Sequence, residues 1–297
     1  MLTIDPKKVS VQKIHGYLLG AVAPRPIAFA STMDLDGNIN LSPFSFFNAF
    51  SANPPILIFS PSRRVRDNTT KHTLDNVNTN PEVVINIVNY AIAEQMSLSS
   101  TEYEKGVNEF EKAGLTMVAS EKVKPPRVGE SPVAFECRVN EVVPLGKEGG
   151  AGNLVICEVL LAHIKKEILD ENLRIDPCKL DAIGRMGGNW YTRAGETSLF
   201  EISKPLATKG IGVDNIPDGI KNSIVLTGND LGKLGNVVQL PEKEAIQHYT
   251  NDSSMKELRE RFKNDRESYV FHLHVYAKEL LAGGKIEDAW LTLLQAE

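Results

Sequence analysis

The sequence predicts a mixed β fold with helices: a barrel-like core over residues 1–203, then a mainly helical C-terminal extension over residues 204–297. Three observations carry that prediction. Short strand-like runs separated by turn residues crowd positions 27–60. Two longer runs, 133–143 and 153–164, have strand character. In the second, Val155, Cys157, Val159 and Leu161 alternate with Ile156, Glu158 and Leu160, so one face is mostly apolar and the other mixed. Beyond Pro241 the apolar spacing becomes helical, after an irregular stretch that begins near Lys204-Pro205.

In chain order, residues 9–19 place Val11, Ile14, Leu18 and Leu19 at roughly helical spacing. Pro24 and Pro26 then force an extended entry into a strand at 27–33. Asp34-Leu35-Asp36-Gly37-Asn38 is turn chemistry and predicts a hairpin. Residues 39–50 continue as strand with a polar-aromatic interruption, and 55–60 read as a short buried strand. Asp67 or Asn68 is placed to cap a helix running to about Val77, with Pro81 marking the next break. A further strand is expected at 83–88, and residues 91–120 read as helix and loop ending near Gly114. The glycine-rich segment 146–152 is expected to be a mobile loop between the two long strands. In the extension, helices are predicted at 242–249, 254–262, 267–281 and 285–295, the last two forming an antiparallel hairpin about Gly283-Gly284.

With 297 residues, 42% hydrophobic and 24% charged, the chain can bury a full core and carry an appendage. A net charge of -5 argues against a nucleic-acid partner, which selects for a basic surface. No apolar run approaches the roughly 20 residues that span a bilayer, so no membrane partner is expected. Met1-Leu2-Thr3-Ile4-Asp5-Pro6 lacks the basic start and apolar core of a signal peptide. The three cysteines are an odd number without paired metal-type spacing. Buried reduced thiols at Cys137 and Cys157, and a cytoplasmic location, fit best. His272 and His274 lie two apart on a predicted helix, hence on different faces, so no metal site is assigned. Neither Gly210-Ile211-Gly212 nor residues 146–152 has the context of a nucleotide fingerprint.

Asn68-Thr69-Thr70-Lys71-His72-Thr73 combines a helix start with hydroxyls and a cation, after Ser60-Pro61-Ser62-Arg63-Arg64. First-turn N–H groups lack partners, and the helix dipole is positive there, so a phosphate is favoured. Ser60, Thr69, Thr70 and Thr73 are candidate hydroxyl donors, and Lys71 with Arg63 or Arg64 supplies charge-assisted bonds. The same pattern also describes an ordinary capped surface helix. Ser45-Phe46-Phe47-Asn48-Ala49-Phe50-Ser51 is aromatic, small and polar at once. Phe46 and Phe47 offer a flat apolar wall, and the backbone at Asn48, Ala49 and Ser51 offers donors. These phenylalanines also suit a barrel core, and a split of alternate residues between core and cofactor is expected. Together the two segments suit a flat phosphorylated cofactor.

The stretch Pro24-Arg25-Pro26-Ile27-Ala28-Phe29-Ala30-Ser31-Thr32, the Asp36-Gly37 turn, residues 40–55, Lys71-His72-Thr73 and Gly114-Leu115 occur in an order that carries a resemblance. So do Pro125-Pro126-Arg127, Phe135-Glu136-Cys137 and Gly184-Arg185-Met186-Gly187-Gly188-Asn189-Trp190-Tyr191. Over residues 10–203 the chain resembles the longer members of the flavin reductase-like family, which have an FMN-binding split β-barrel. The resemblance implies FMN as cofactor, with FAD or riboflavin as alternative flavin substrates, and NADH or NADPH as a transient electron donor. It also implies a homodimer with the flavin near the subunit interface. Hydride transfer to flavin N5 needs no protein acid or base, so no catalytic side chain is assigned. A flavoredoxin-like FMN electron carrier acting on a redox partner protein, without pyridine-nucleotide activity, is the alternative. A barrel that has lost its cofactor is a third reading, which the retained Lys71, Thr73 and Asn48 oppose. Arg185 and Tyr191 either approach the flavin or form a structural turn. One departure is local: the family often has Lys-Asp-Thr where this chain has Lys71-His72-Thr73.

Overall fold

The structure is a computed structural model that describes residues 1–202 and 208–296. It divides into two compact units, Met1–Phe200 and Glu201–Glu297. The expected boundary at 203/204 lies outside the described residues.

The first unit is built on a seven-stranded antiparallel sheet. Helix α1 (Val11–Ala21) is capped by Ser10 and precedes β1 (Ala28–Met33). β1 pairs with β2 (Ile39–Phe44) across the predicted turn. Asp34 closes that turn, accepting from the N–H groups of Asp36 and Asn38, and Gly37 supplies the positive φ of 89°. β3 (Phe47–Ala52) and β4 (Pro55–Phe59) form a second hairpin, with a bulge between Ala49 and Ser51. β5 (Glu82–Ile87) follows α2 (His72–Thr79), and α3 (Ala93–Leu98) and α4 (Glu109–Ala113) come next. A short ladder joins β6 (Met117–Val118) to β7 (Arg127–Val128). The two long strands are β8 (Val133–Pro144) and β9 (Asn153–Ile164), paired along their whole length with two register shifts. After α5 (Pro177–Leu180), a hairpin of β10 (Ile183–Arg185) and β11 (Tyr191–Arg193) completes the unit.

The strand order is β2-β1-β5-β8-β9-β4-β3. β2 and β3 stand at opposite ends of that order, yet only Ser45 and Phe46 separate them in the chain. The sheet must therefore curl until its two edges nearly meet, leaving a split where β2 gives way to β3. The polar-aromatic interruption expected in residues 39–50 is this crossing. Alternate residues of β1 face different clusters. Ala28 and Ala30 pack with Phe44, Phe59, Ile85 and Cys157, together with Leu74 and Val77 of α2. Phe29 packs with Leu41, Met96 and Phe110, which brings α3 and α4 against the sheet. Full burial of a phenylalanine such as Phe29 or Phe59 contributes about 2–3 kcal/mol. Burial, then the Glu136 charge, pushes the Cys137 thiol up to about 12, and burial raises Cys157 well above its ordinary value. Both are unreactive thiols; Cys178 is exposed.

The helix expected from Asp67 or Asn68 begins later. Asp67 turns its carboxylate to the N–H and hydroxyl of Thr69, and Asn68 has φ 59°. This Asx turn ends the incoming segment, and α2 starts only at His72 with Lys71 as N-cap.

The second unit holds α6 (Asp218–Lys221), α7 (Gly228–Gly235), α8 (Lys243–Tyr249), α9 (Ser253–Arg261), α10 (Arg266–Ala282) and α11 (Ile286–Leu293). Thr227 and Asp230 form a capping box on α7. α10 and α11 pack through Ala277, Leu281, Ala289 and Trp290, as the Gly283-Gly284 break predicts. The buried Trp290 indole donates to the Leu234 carbonyl at 3.1 Å. Among the described residues no helix is long and apolar enough to cross a membrane, and no cluster of three metal-ligating side chains occurs.

Candidate functional site

Two clefts adjoin at Ser100, which lines both. The smaller is charged, with two cations, Arg64 and Lys71, and two carboxylates, Glu102 and Glu109. Arg64, Lys71, His72 and Thr73 form one side, and Ser100 to Tyr103 form the other, with Asn40, Ser42 and Glu109 completing it. The larger is about 350 Å³ and is walled by Ile27, Phe44 and Met96, with Ser45, Arg185 and Tyr191 at its polar side. Phe44 links the two, since the Lys71 ammonium lies 5.2 Å from the centre of its ring.

Lys71 is a half-buried cation with no ion pair or side-chain hydrogen bond among the described residues. Burial, then neighbouring Arg64, holds its pKa below the ordinary lysine value, against a smaller opposing pull from Glu102. Helix α2 has no side-chain cap; its Leu74 N–H already donates to the Lys71 carbonyl at 2.9 Å, which leaves the His72 and Thr73 N–H groups as its first-turn donors. Arg64 is fixed by three partners: Nε donates to Glu102 at 3.0 Å, and Nη1 donates to the Thr69 hydroxyl at 2.9 Å and to the Thr70 carbonyl. Behind this cleft runs a buried polar chain. The Thr73 hydroxyl donates to Asn40 at 2.6 Å, and Asn40 donates to Glu109 at 2.8 Å. Glu109 also accepts from the Leu41 N–H, while burial raises its pKa overall.

The larger cleft is shaped by Arg25, which is 4% exposed. Its guanidinium donates to the carbonyls of Leu19, Val22 and Met186 and to the Ser45 hydroxyl at 3.3 Å. Ser45 is thereby tied to α1 and to the segment after β10. Arg185 sits over the Tyr191 ring at 4.6 Å and donates to the Gly188 carbonyl. The β10–β11 hairpin therefore presents both residues to the cleft as well as forming a turn.

The residues singled out in the sequence divide between places. Arg64, Lys71 and Thr73 meet at the smaller cleft. The Thr69 and Thr70 hydroxyls are directed to Asp67 and Asp75. Arg63 clamps Asn68 through its side chain and backbone carbonyl, both at 2.6 Å. Ser60 is buried beside Gly152, where an added Cβ would come within 2.6 Å of its hydroxyl. Phe46 meets His15 edge-on, and Phe47 packs against the sheet core. Asn48, Ala49 and Ser51 lie exposed on β3, an edge strand. Sequence reasoning did not single out Ser100, Glu102, Tyr103 or Glu109 for this site, because only tertiary approach brings them there.

A curled antiparallel sheet thus carries a small cleft with two cations, Arg64 and Lys71, beside a larger one of mixed lining. Residues 20–180 match the model of the flavin reductase like domain, more than half of the chain, and the chain belongs to that family. An uncharacterised protein of Aquifex aeolicus is 42% identical over 194 residues, covering 65% of this chain and 96% of the relative. Among solved structures, nitrilotriacetate monooxygenase component B from Bacillus cereus is 29% identical with a TM-score of 0.63, covering 68% of this chain and 98% of that one. The 2-nitrobenzoate 2-nitroreductase of Pseudomonas fluorescens is 26% identical with a TM-score of 0.62, covering 71% and 100%. The fold is thus a flavin reductase-like split barrel, and the helical unit lies beyond the matched residues.

Proposed function

We propose that the chain is an FMN-binding oxidoreductase of the flavin reductase type, using NADH or NADPH as donor. The observation that carries this reading is the half-buried Lys71, without an ion pair among the described residues, beside Arg64 and an adjoining cleft of about 350 Å³ walled on one side by Ile27, Phe44 and Met96. That donor set suits a phosphate joined to a flat ring system. Lys71, Arg64 and the His72 and Thr73 N–H groups at the start of α2 would hold the phosphate. Phe44, Ile27 and Met96 would exclude water from one side of the ring, and Ser45, anchored by Arg25, would offer a hydroxyl at its edge. Arg185, stacked on Tyr191, lines the same cleft and would offer a cation to an anionic donor. A bound flavin would supply the redox chemistry, so the chain's task would be to bind, orient and desolvate it.

Association as a homodimer fits the same reading. α1 has no buried residue despite Val11, Leu18 and Leu19, and β3 ends the sheet with Phe50 64% exposed. Anaerobic addition of NADH, then NADPH, to the FMN-loaded protein tests the activity. Loss of the oxidised flavin absorbance with either donor is expected. A spectrum unchanged by both would refute the reductase reading and leave an electron carrier.

A further inference from the structure

The segment after α3 carries a carboxylate into the smaller cleft, against the cations Arg64 and Lys71. Glu102 Oε1 accepts from Arg64 Nε at 3.0 Å, and Oε2 accepts from Arg66 Nη2 at 3.2 Å. The segment is held in place from both sides. The Ser100 hydroxyl donates to the Ser97 carbonyl, Thr101 N–H donates to Leu98, and Lys112 lies over the Tyr103 ring at 5.7 Å. Arg64 is only 19% exposed at its side chain, whereas Glu102 is 51% exposed and retains a second partner, Arg66, outside the cleft lining. An acid in an anion pocket opposes a dianionic phosphate and satisfies the guanidinium that the phosphate would use.

Resting on the flavin-binding reading above, we infer that Glu102 is a built-in competitor for the flavin phosphate. It occupies Arg64 when the site is empty and yields it when a phosphorylated flavin enters. Two consequences follow. The preference for FMN over riboflavin is smaller than Arg64 and Lys71 alone would give, because only the phosphorylated ligand displaces the carboxylate. Release of FMN is eased, because Arg64 is re-paired as the phosphate leaves. The device suits a flavin that exchanges between free and bound states. Glu102 is a specificity-determining residue and touches no reacting atom.

The test uses the full chain and two ligands, FMN and riboflavin, titrated by flavin fluorescence at fixed ionic strength. Glu102→Gln keeps the shape of the side chain and removes its charge. The FMN-to-riboflavin affinity ratio is expected to rise about two- to fivefold, the scale of a partly exposed ion pair. FMN release, followed by stopped flow, slows by a similar factor, since affinity changes of this kind reside mostly in the off-rate. Glu104→Gln, an exposed carboxylate outside the cleft, leaves the ratio unchanged. A ratio that falls in Glu102→Gln would show that Glu102 orients Arg64 for the phosphate, and would overturn the competitor role. An unchanged ratio, or an equal rise in Glu104→Gln, would overturn it too. Binding of neither flavin by the wild type would instead remove the flavin site itself, and the competitor with it.

Discussion

Replacing Lys71 with methionine separates binding from stability with opposite signs. The methionine keeps an unbranched stem against Phe44 and deletes only the charge. In the free protein that charge is half-buried without an ion pair among the described residues. Its folded pKa is depressed by burial and by Arg64, below the unfolded value of about 10.4. The protonated form is therefore disfavoured by the fold. That penalty is present throughout the acid and neutral range, and is relieved only as pH rises through the depressed folded pKa. Deleting the charge at neutral pH should leave the thermal midpoint of the flavin-free protein unchanged or higher. FMN binding moves the other way. A charge-assisted bond to phosphate is worth about 1.5–3 kcal/mol, so Lys71→Met should weaken FMN about 10- to 150-fold. Riboflavin, which lacks the phosphate, should bind as before. The assay is a fluorescence titration with both flavins, beside a thermal scan without flavin. Equal losses for the two ligands, or a lower midpoint in Lys71→Met, would refute the assignment of Lys71 to the phosphate.

Other perturbations bear on the scaffold. Glu136 is fully buried; burial pushes its pKa up, but the N–H groups of Glu121 and Lys122 and the His163 ring outweigh this and hold it below the ordinary value. Its stabilising contribution is then present above the unfolded pKa of about 4.3 and lost as pH falls through the folded one. Glu136→Gln should cost about 1–3 kcal/mol in urea denaturation at neutral pH, with the gap narrowing below about pH 4. Arg25→Met strands three carbonyls and frees Ser45, so it should cost about 1–3 kcal/mol and weaken both flavins alike, read by the same titrations. Trp290→Ala empties the core of the helical unit and should cost that unit about 3–5 kcal/mol. Helical circular dichroism should fall with the loss of that core.

Much of the architecture was legible because it rests on local periodicity and turn chemistry. The alternation through Val155 and Cys157 announces β9, Asp34 and Gly37 announce the first hairpin, and Gly283-Gly284 announces the break before α11. The start of α2 was misread because two chemistries compete for one side chain. Asp67 suits a helix cap and an Asx turn equally, and Thr69 claims it for the turn. In the site, Arg64, Lys71 and Thr73 declare themselves by charge and hydroxyl near a helix start. Nothing local marks Glu102 or Glu109, because the segment carrying them reaches the cleft through the packing of α3 and α4 on the sheet. Alternation in residues 46–51 likewise marks a strand without saying that it is an edge, which depends on the closure of the whole sheet.

The most direct measurement is a crystal structure of the full chain grown with FMN. The phosphate should lie against Lys71, Arg64 and the first turn of α2, with the ring system in the cleft between Phe44-Ser45 and Arg185. A phosphate bound at any other surface, or a ring placed away from that cleft, would contradict the account.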